Sequence, residues 1–335
     1  MKIITSQDIA KLDLNTLLSD ASKFLEEDLK RWQVFHKSPR HAIHYKHGVF
    51  ELMPCADEEF YTYKYVNGHP DNPKQNKMSI VATGMLADIE TGYPQLFCDM
   101  TILTAVRTAA TSALAAKHLA RKNASVLGII GTGAQSEFQA YAMKQIFDLK
   151  TIRYYDRDPD AMEKFANNMA SSNLELIACK NGTEVVQGVD ILTTCICEKA
   201  QVELFPYSAI KDNHGLFINA IGGDCPGKTE LDPMVMKNAR IVVEFFEQTK
   251  YEGEIQNLEE GSFEFDELWE IIQGQKMGRR ETDDLIVFDA VGFALADYSV
   301  MRMLYKKNLG TEYEIFTSPK NPKDLFSLIA CTQGK

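Results

Sequence analysis

The chain has 335 residues, enough for two domains, and its 45% hydrophobic and 25% charged residues are those of a globular protein. A formal net charge of −11 without any basic tract excludes a nucleic-acid surface, so any anion site has to be local. No apolar run is long enough to span a bilayer, and the opening MKIITSQDIAKLDLNTL lacks the apolar segment of a signal peptide, so a cytoplasmic protein is expected.

In chain order, Leu17, Leu18, Ala21, Leu25, Leu29 and Trp32 recur at helical spacing and predict a helix over 15–32. HAIHY, GVFELMPC and FYTYKYVN are short, aromatic and β-branched, and SIVATGMLADIETGYPQLFCDM predicts two strands about a Glu90-Thr91-Gly92 turn. Residues 41–100 therefore read as a meandering, largely antiparallel sheet. The alanine-rich RTAATSALAAKHLARK predicts a helix over 107–122. Beyond it, apolar strands (SVLGIIG, TIRYYD, LELIAC, VDILTTCI, GLFINAIGG, ARIVVEF) alternate with helical stretches, as in βαβ units with a parallel sheet. GFALADYSVMRML predicts one more helix before a polar, turn-rich tail.

The seven cysteines are scattered and odd in number, which argues for reduced thiols over a disulfide framework. Cys195 and Cys197 have no second Cys/His cluster, so no metal is expected and buried strand cysteines are.

Chemistry concentrates at three places. Gly131-Thr132-Gly133-Ala134-Gln135-Ser136 follows an apolar strand and opens a helix whose buried stripe would be Phe138, Tyr141, Ala142 and Ile146. Gly131 permits a tight turn, Gly133 lets the backbone approach a pyrophosphate, and the helix N-terminus offers oriented N–H groups. Asp156 ends the next strand, where an acid bonds ribose hydroxyls and favours NAD, while Arg157 beside it keeps NADP open. The fold class is thus α/β: a Rossmann-type dinucleotide-binding domain plus a second α+β domain with a largely antiparallel sheet. Its expected extents are 116–290 for the former, and 1–115 with 291–335 for the latter.

The second place is a set of cations, Arg40, Lys64 and Arg107. Lys64 sits among tyrosines in a strand, and Arg107 heads the predicted helix with no further charge until Lys117. A cation there opposes the helix dipole and more plausibly faces a bound anion, and the planar fork of arginine suits a carboxylate. The third place is AIGGDCPGKTEL, residues 220–231, which carries Asp224 and Lys228 on a bare loop after an apolar run. Taken alone it is open between a Gly/Pro turn with a solvated acid and a ligand-facing loop.

The ordered set KYVNGHP, GMLADIETGYP, RTAATSALAAK, GTGAQSEFQ, GGDCPGKTEL and FDAVGFALADY resembles the ornithine cyclodeaminase/μ-crystallin family over nearly the whole chain. KYVNGHP and GGDCPGKTEL are similar to its cyclodeaminase branch. The resemblance implies an ammonia-lyase that recycles tightly bound NAD: ornithine is oxidised at its α-carbon to an imine, the δ-amine attacks, ammonia leaves, and hydride returns to give proline. It also implies a homodimer through the antiparallel sheet. Arg40, Lys64 and Arg107 would hold the substrate carboxylate, Val291 would touch substrate, and Asp224 would be the acid/base. Gly131, Gly133, Ala134, Gln135 and Asp156 would hold pyrophosphate and ribose. Ile221, Gly222, Gly223, Asp224, Lys228, Ala290 and Arg107 would lie along the cofactor. Ser79, Ile196 and Ala290 stand on the cofactor side where the family favours threonine, threonine and serine. Asp88, Glu90, Asp99 or the Val291 carbonyl would recognise the distal amine. The alternatives are a lysine cyclodeaminase, an NAD(P)-dependent imine/ketimine reductase or amino-acid dehydrogenase, and, from another class, a crystallin-like nucleotide-dependent binding protein.

Overall fold

A computed structural model describes residues 1–197, 201–259, 261–280 and 285–330. Its strands fall into two sheets. The first takes β1 (Lys2–Ile4), β2 (His36–Lys37), β3 (His41–Tyr45), β4 (Gly48–Ala56), β5 (Phe60–Gly68), β6 (Ile80–Asp88) and β7 (Pro94–Asp99). From β3 to β7 each strand pairs antiparallel with the next, as the short strand–turn texture predicts, and β1 lies parallel to β7. Along β5 the alternation of a half-buried strand turns Phe60, Thr62, Lys64 and Val66 inward. One inward position is therefore occupied by a lysine.

The second sheet holds β8 (Val126–Ile130), β9 (Thr151–Tyr155), β10 (Glu175–Ala178), β11 (Ile191–Thr194), β12 (Leu216–Ala220), β13 (Arg240–Val243), β14 (Phe265–Glu267) and β15 (Leu285–Asp289). All are parallel, in the order β10-β9-β8-β11-β12-β15-β13-β14. Every residue of β11 and β12 is buried, as expected of a parallel sheet covered on both faces. Near the end of the chain β16 (Thr311–Glu312) returns to pair antiparallel with β1. The mixed α/β class read from the sequence, one largely antiparallel sheet and one parallel, is the observed one.

The helices that position the site are α1 (Leu14–Leu29), α2 (Thr101–Leu119), α3 (Ser136–Ile146), α4 (Pro159–Met169), α5 (Phe246–Glu252) and α6 (Ala294–Lys306). Three expectations shift. The first helix stops at Leu29, and Trp32 enters a 3-10 turn, where its ring stacks on Trp269 with centroids 5.6 Å apart. The alanine-rich helix begins at Thr101, where the Asp99 carboxylate accepts the Thr101 N–H at 3.1 Å. Arg107 therefore lies inside α2 rather than at its head, and the dipole argument for an anion there fails. Finally, α3 buries Ser136, Gln139, Ala140, Ala142 and Met143, while Phe138 and Tyr141 are half-buried and Ile146 is exposed. Its inner face follows the small residues, because it packs closely on alanine-rich α2.

After β15 the chain leaves the parallel sheet, and α6 packs against α1, α2 and the inner face of β4–β6. Met301 fills the space beside Gly84, where a Cβ would lie 2.7 Å from its sulfur. The fully buried Asp28 of α1 accepts from Ser299 Oγ at 2.9 Å and from Arg302 Nε at 3.2 Å, tying α1 to α6. Among the described residues no helix is long and apolar enough to cross a membrane, and no group of three or more His, Cys, Asp or Glu is placed to hold a metal ion. Cys331 lies outside them. Removing one partner of a buried charge network strands the others, so Asp28→Ala should cost about 3 kcal/mol in urea unfolding.

Candidate active site

The C-terminal edge of the parallel sheet gathers the loops, with the strand order reversing between β8 and β11. Ligands of open α/β sheets bind at such a switch point. At the tip of β8, Gly131 has φ +99°, and a Cβ there would lie 2.6 Å from the Cys195 carbonyl, so no other residue fits. Nothing stands within 4 Å of a Cβ built on Gly133, which leaves its backbone approachable. Ser136, fully buried, donates to the Gly133 carbonyl at 2.9 Å and fastens the turn to α3. Asp156 accepts the Thr132 N–H at 2.7 Å and the Asp158 N–H at 3.0 Å, which fixes its carboxylate beside the turn. Gln135 Oε1 is buried without a partner among the described residues, an acceptor that a bound dinucleotide would satisfy. Cys195 donates its thiol to the Gly131 carbonyl at 3.1 Å, and burial pushes that thiol far up.

The neighbouring loops are bound to one another. Ile221 N–H donates to the Thr194 carbonyl at 3.1 Å, and Ala290 N–H donates to the Ala220 carbonyl at 3.0 Å. Ile196 N–H donates to Glu230 Oε1 at 2.8 Å. That same oxygen would lie 1.8 Å from a Cβ on Gly222. The loop is bare because a buried carboxylate packs directly against it. Burial pushes Glu230 up to about 7, and Glu254, raised well above its ordinary range by burial and then by Asp289, accepts the Glu230 N–H at 2.8 Å. On the loop itself Asp224 has a half-exposed side chain and pairs with buried Lys228 at 3.0 Å. Burial works against the charge on Lys228, but Asp224 and then Glu230 outweigh it and raise its pKa.

Facing this loop are the cations. Arg40 is buried, and each of its nitrogens meets an acceptor: Nη1 the Glu51 carboxylate at 3.1 Å, Nε the Glu252 carboxylate at 3.1 Å, and Nη2 the Val291 and Gly292 carbonyls. Burial opposes its charge, yet Glu51, Glu252 and Asp224 together hold its pKa above the ordinary value. Asp224 also acts, with Glu51, on Glu252, which burial raises to about 7. The carboxylate of the glycine loop and the cations of the first sheet thus share one electrostatic field. Lys64 Nζ lies 2.9 Å from Asp297 and Arg107 Nε 3.1 Å from the same carboxylate. Burial, then Arg107, push Lys64 down to about 8.

The turn between β15 and α6 is the hub. Gly292, at φ +81°, leaves no room for a Cβ, which would lie 2.6 Å from Arg107 Nη1. Its N–H donates to buried Glu244 at 3.0 Å, and its carbonyl accepts from Gln248 Nε2 at 2.6 Å and from Arg40. Ala290 and Val291 are buried beside it.

Arg40, Lys64, Arg107, Ala290, Val291, Asp224 and Lys228 are therefore brought together, next to the turn of Gly131, Gly133, Ala134, Gln135 and Asp156. Ser79 lies on the loop before β6, where its carbonyl accepts the His69 N–H at 2.7 Å; among the described residues no side-chain contact links it to the cluster. The three acids expected for the distal amine have other duties. Asp88 accepts the Thr91 N–H at 2.8 Å in the β6–β7 turn, Glu90 is exposed in that turn, and Asp99 caps α2. The carboxylates that do stand at the cluster, Glu51, Glu252, Glu244 and Asp297, escape a sequence reading. For Asp297 one signal exists: an acid within the apolar GFALADYSVM.

A glycine turn at the switch point of a parallel sheet, with buried cations gathered beside the loops at its C-terminal edge, defines a dinucleotide-binding fold. The chain belongs to the ornithine cyclodeaminase/mu-crystallin family, whose model matches residues 4–312. It is 44% identical over 325 residues to an ornithine cyclodeaminase of Brucella suis biovar 1 (strain 1330), covering 96% of this chain and 90% of that one. Among solved structures, a lysine cyclodeaminase described for its recognition of L-lysine, L-ornithine and L-2,4-diaminobutyric acid superposes with TM-score 0.87 at 28% identity, covering 98% and 99% of the two chains. An archaeal alanine dehydrogenase dimer with bound NAD gives TM-score 0.86 at 30% identity over 94% and 99%.

Crowding of Gly222 by Glu230 gives a direct check. Overpacking of this kind costs about 1–3 kcal/mol, so Gly222→Ala should lower stability by that amount. In Gly222→Ala/Glu230→Ala the clash is gone, and chemical denaturation should show less loss than the sum of the two single variants.

Proposed function

We propose that the chain is an ornithine cyclodeaminase, an ammonia-lyase that converts L-ornithine to L-proline and ammonia and leaves NAD as it found it. The observation that carries this reading is the convergence of Asp224 with buried Arg40, Lys64 and Arg107 beside the dinucleotide turn, in a chain closely similar to cyclodeaminases. Gly131, Gly133, Ala134 and Gln135 receive the pyrophosphate and Asp156 the ribose. Ile221 to Gly223, Lys228, Ile196, Arg107 and Ala290 would lie on the cofactor side; Ser79 stands apart from them on the loop before β6. NAD, when bound, would supply the reversible hydride acceptor at the substrate α-carbon.

The protein's own task is to manage protons and charge. An α-ammonium does not release hydride, since cation would develop beside existing cation, so it must first lose a proton. Asp224, half-exposed at the loop tip, accepts it, and the same carboxylate then moves a proton from the attacking δ-amine to the departing ammonia. Lys64 and Arg107 receive the substrate carboxylate, which fixes the face of the α-carbon presented to the nicotinamide. The terminal nitrogens of Arg107 have no acceptor among the described residues, whereas Arg40 has to exchange partners before it joins them. Glu51 and Glu252, beside Arg40, supply the negative charge for the distal ammonium, and Val291 contacts the substrate.

Residues 1–115 with 291–335 form the substrate and dimerisation domain in this reading, and 116–290 the NAD domain. The exposed apolar side chains Ile43, Tyr45, Leu52, Tyr61, Ile80 and Val81 on the first sheet suit a second copy, and the related alanine dehydrogenase is a dimer. The enzyme acts in the cytoplasm. A net amino-acid dehydrogenase is the second reading, favoured by that same relative.

Purified protein with L-ornithine and catalytic NAD should yield proline and ammonia without net NADH; stoichiometric NADH would shift the assignment to the dehydrogenase. L-Lysine, one methylene longer, should be turned over about tenfold to two-hundredfold less efficiently. Asp224→Asn should lower kcat by at least about 100-fold with NAD still bound in a fluorescence titration. Lys64 is charged below about 8 and neutral above it, so KM for L-ornithine should rise as pH climbs through that value while kcat holds.

A further inference from the structure

We infer that Asp297 is a positioning residue for the substrate carboxylate: it holds Lys64 in its charged form and aims Lys64 and Arg107 at a single incoming anion. The inference deepens the amino-acid reading above and rests on it for the identity of that anion.

The geometry comes first. Asp297 is fully buried in the first turn of α6, a place where a helix favours negative charge. It is 2.9 Å from Lys64 on β5 and 3.1 Å from Arg107 on α2. One carboxylate thus fixes two cations from separate elements beside each other.

The charges decide the role. Lys64, Arg107 and Asp297 sum to one positive charge, matched by one carboxylate. Without Asp297 two buried cations would face each other, and a buried lysine responds by losing its proton. The groups acting on Lys64 are few. Burial, Arg107 on α2, and Arg40 ahead of β3 all favour the neutral amine; Asp297 on α6, by its charge and its hydrogen bond, is the largest influence favouring the ammonium. Asp297 in turn is faced by Glu244 after β13 and by the thiols of Cys55 on β4 and Cys98 on β7, all three shifted up by burial first. An ionised Glu244 would repel Asp297, and neither thiol is a charge donor near neutrality, so none of them replaces it in supporting Lys64.

A purely structural salt bridge is the competing account. Buried ion pairs contribute little net stability compared with apolar packing, so stability alone gives no reason for a carboxylate at this point. A purely structural pair would also move the titration of Lys64 when broken, but would leave KM for L-ornithine and its pH profile where they are.

The test is Asp297→Asn in the full-length protein, with Lys64 followed by 13Cε-lysine NMR and assigned through Lys64→Arg. The midpoint of Lys64 should fall by at least about one pH unit, which is about a tenfold change in its proton affinity. KM for L-ornithine should rise about tenfold at pH 8 and recover towards the wild-type value at pH 6, with kcat and NAD affinity within about twofold. If the amide is not accommodated, Asp297→Ser removes the same charge with a smaller side chain. An unchanged Lys64 midpoint, or a loss of kcat with no shift in the pH profile, overturns the inference. So does a wild-type Lys64 midpoint already below about 7, because Asp297 then fails to hold the proton. Absence of ornithine turnover in the wild type would overturn the cyclodeaminase reading instead, and the NMR midpoint would still decide the role of Asp297.

Discussion

Burying three cations is the constraint on which the rest of this molecule turns. Arg40, Lys64 and Arg107 all lie out of water, and a buried charge has to be met by opposite charge and hydrogen bonds. The partners do not come from the same stretch of chain. Arg40 is met by Glu51 of its own sheet, by Glu252 at the end of α5, and by the carbonyls that follow β15. Lys64 and Arg107 are met from α6. Electrostatic necessity therefore draws the end of the parallel sheet onto the inner face of the antiparallel one, and the cleft lies where these groups meet.

This division explains what the sequence discloses and what it withholds. Strands β3 to β7 announce themselves by short aromatic and β-branched runs broken by Gly and Pro, and the glycine turn by its position between strand and helix. Both are local signals. Lys64 is visible as an odd residue in a tyrosine-rich strand, but its partner Asp297 is 233 residues away, and no local pattern pairs them. The start of α2 is hidden by TILTAV, whose β-branched residues read as strand-like, while an Asp99 cap in fact begins a helix there. Arg107 therefore looks like a helix-end cation when it is not one. Its need for negative charge survives for a different reason, its burial inside α2. The face of α3 is obscured in a similar way, because close packing on alanine favours small residues over the larger ones that carry the periodicity.

The acidic half of the site obeys the same physics with signs reversed. Gly222 lies against Glu230, and Gly253 against Asp289, each where a Cβ would strike a carboxylate. Glycine here makes space for buried acids rather than for chain flexibility. Burial raises Glu230, Glu252 and Asp289 to about 7 and holds Glu254 well above its ordinary range. The formal charge of −11 counts all four as ionised and so overstates the negative charge near the cleft. Asp224 differs from them in keeping a half-exposed side chain, paired with Lys228 at the loop tip.

Arg40 shows why a diamino acid suits this arrangement better than a simple one. Its Nη groups are hydrogen-bonded and its Nε is paired by charge with Glu252, so in the proposed reading a substrate carboxylate would reach the guanidinium by displacing Glu51, Glu252 or a backbone carbonyl. A lone anion would strand the displaced carboxylates as unpaired buried charge, at a cost that outweighs the new ion pair. A zwitterion carrying a further ammonium brings a replacement for what it displaces: its carboxylate takes the guanidinium, and its amines take the released acids. In the proposed reading the exchange leaves no carboxylate around Arg40 without a cation, which a substrate with two amines would achieve.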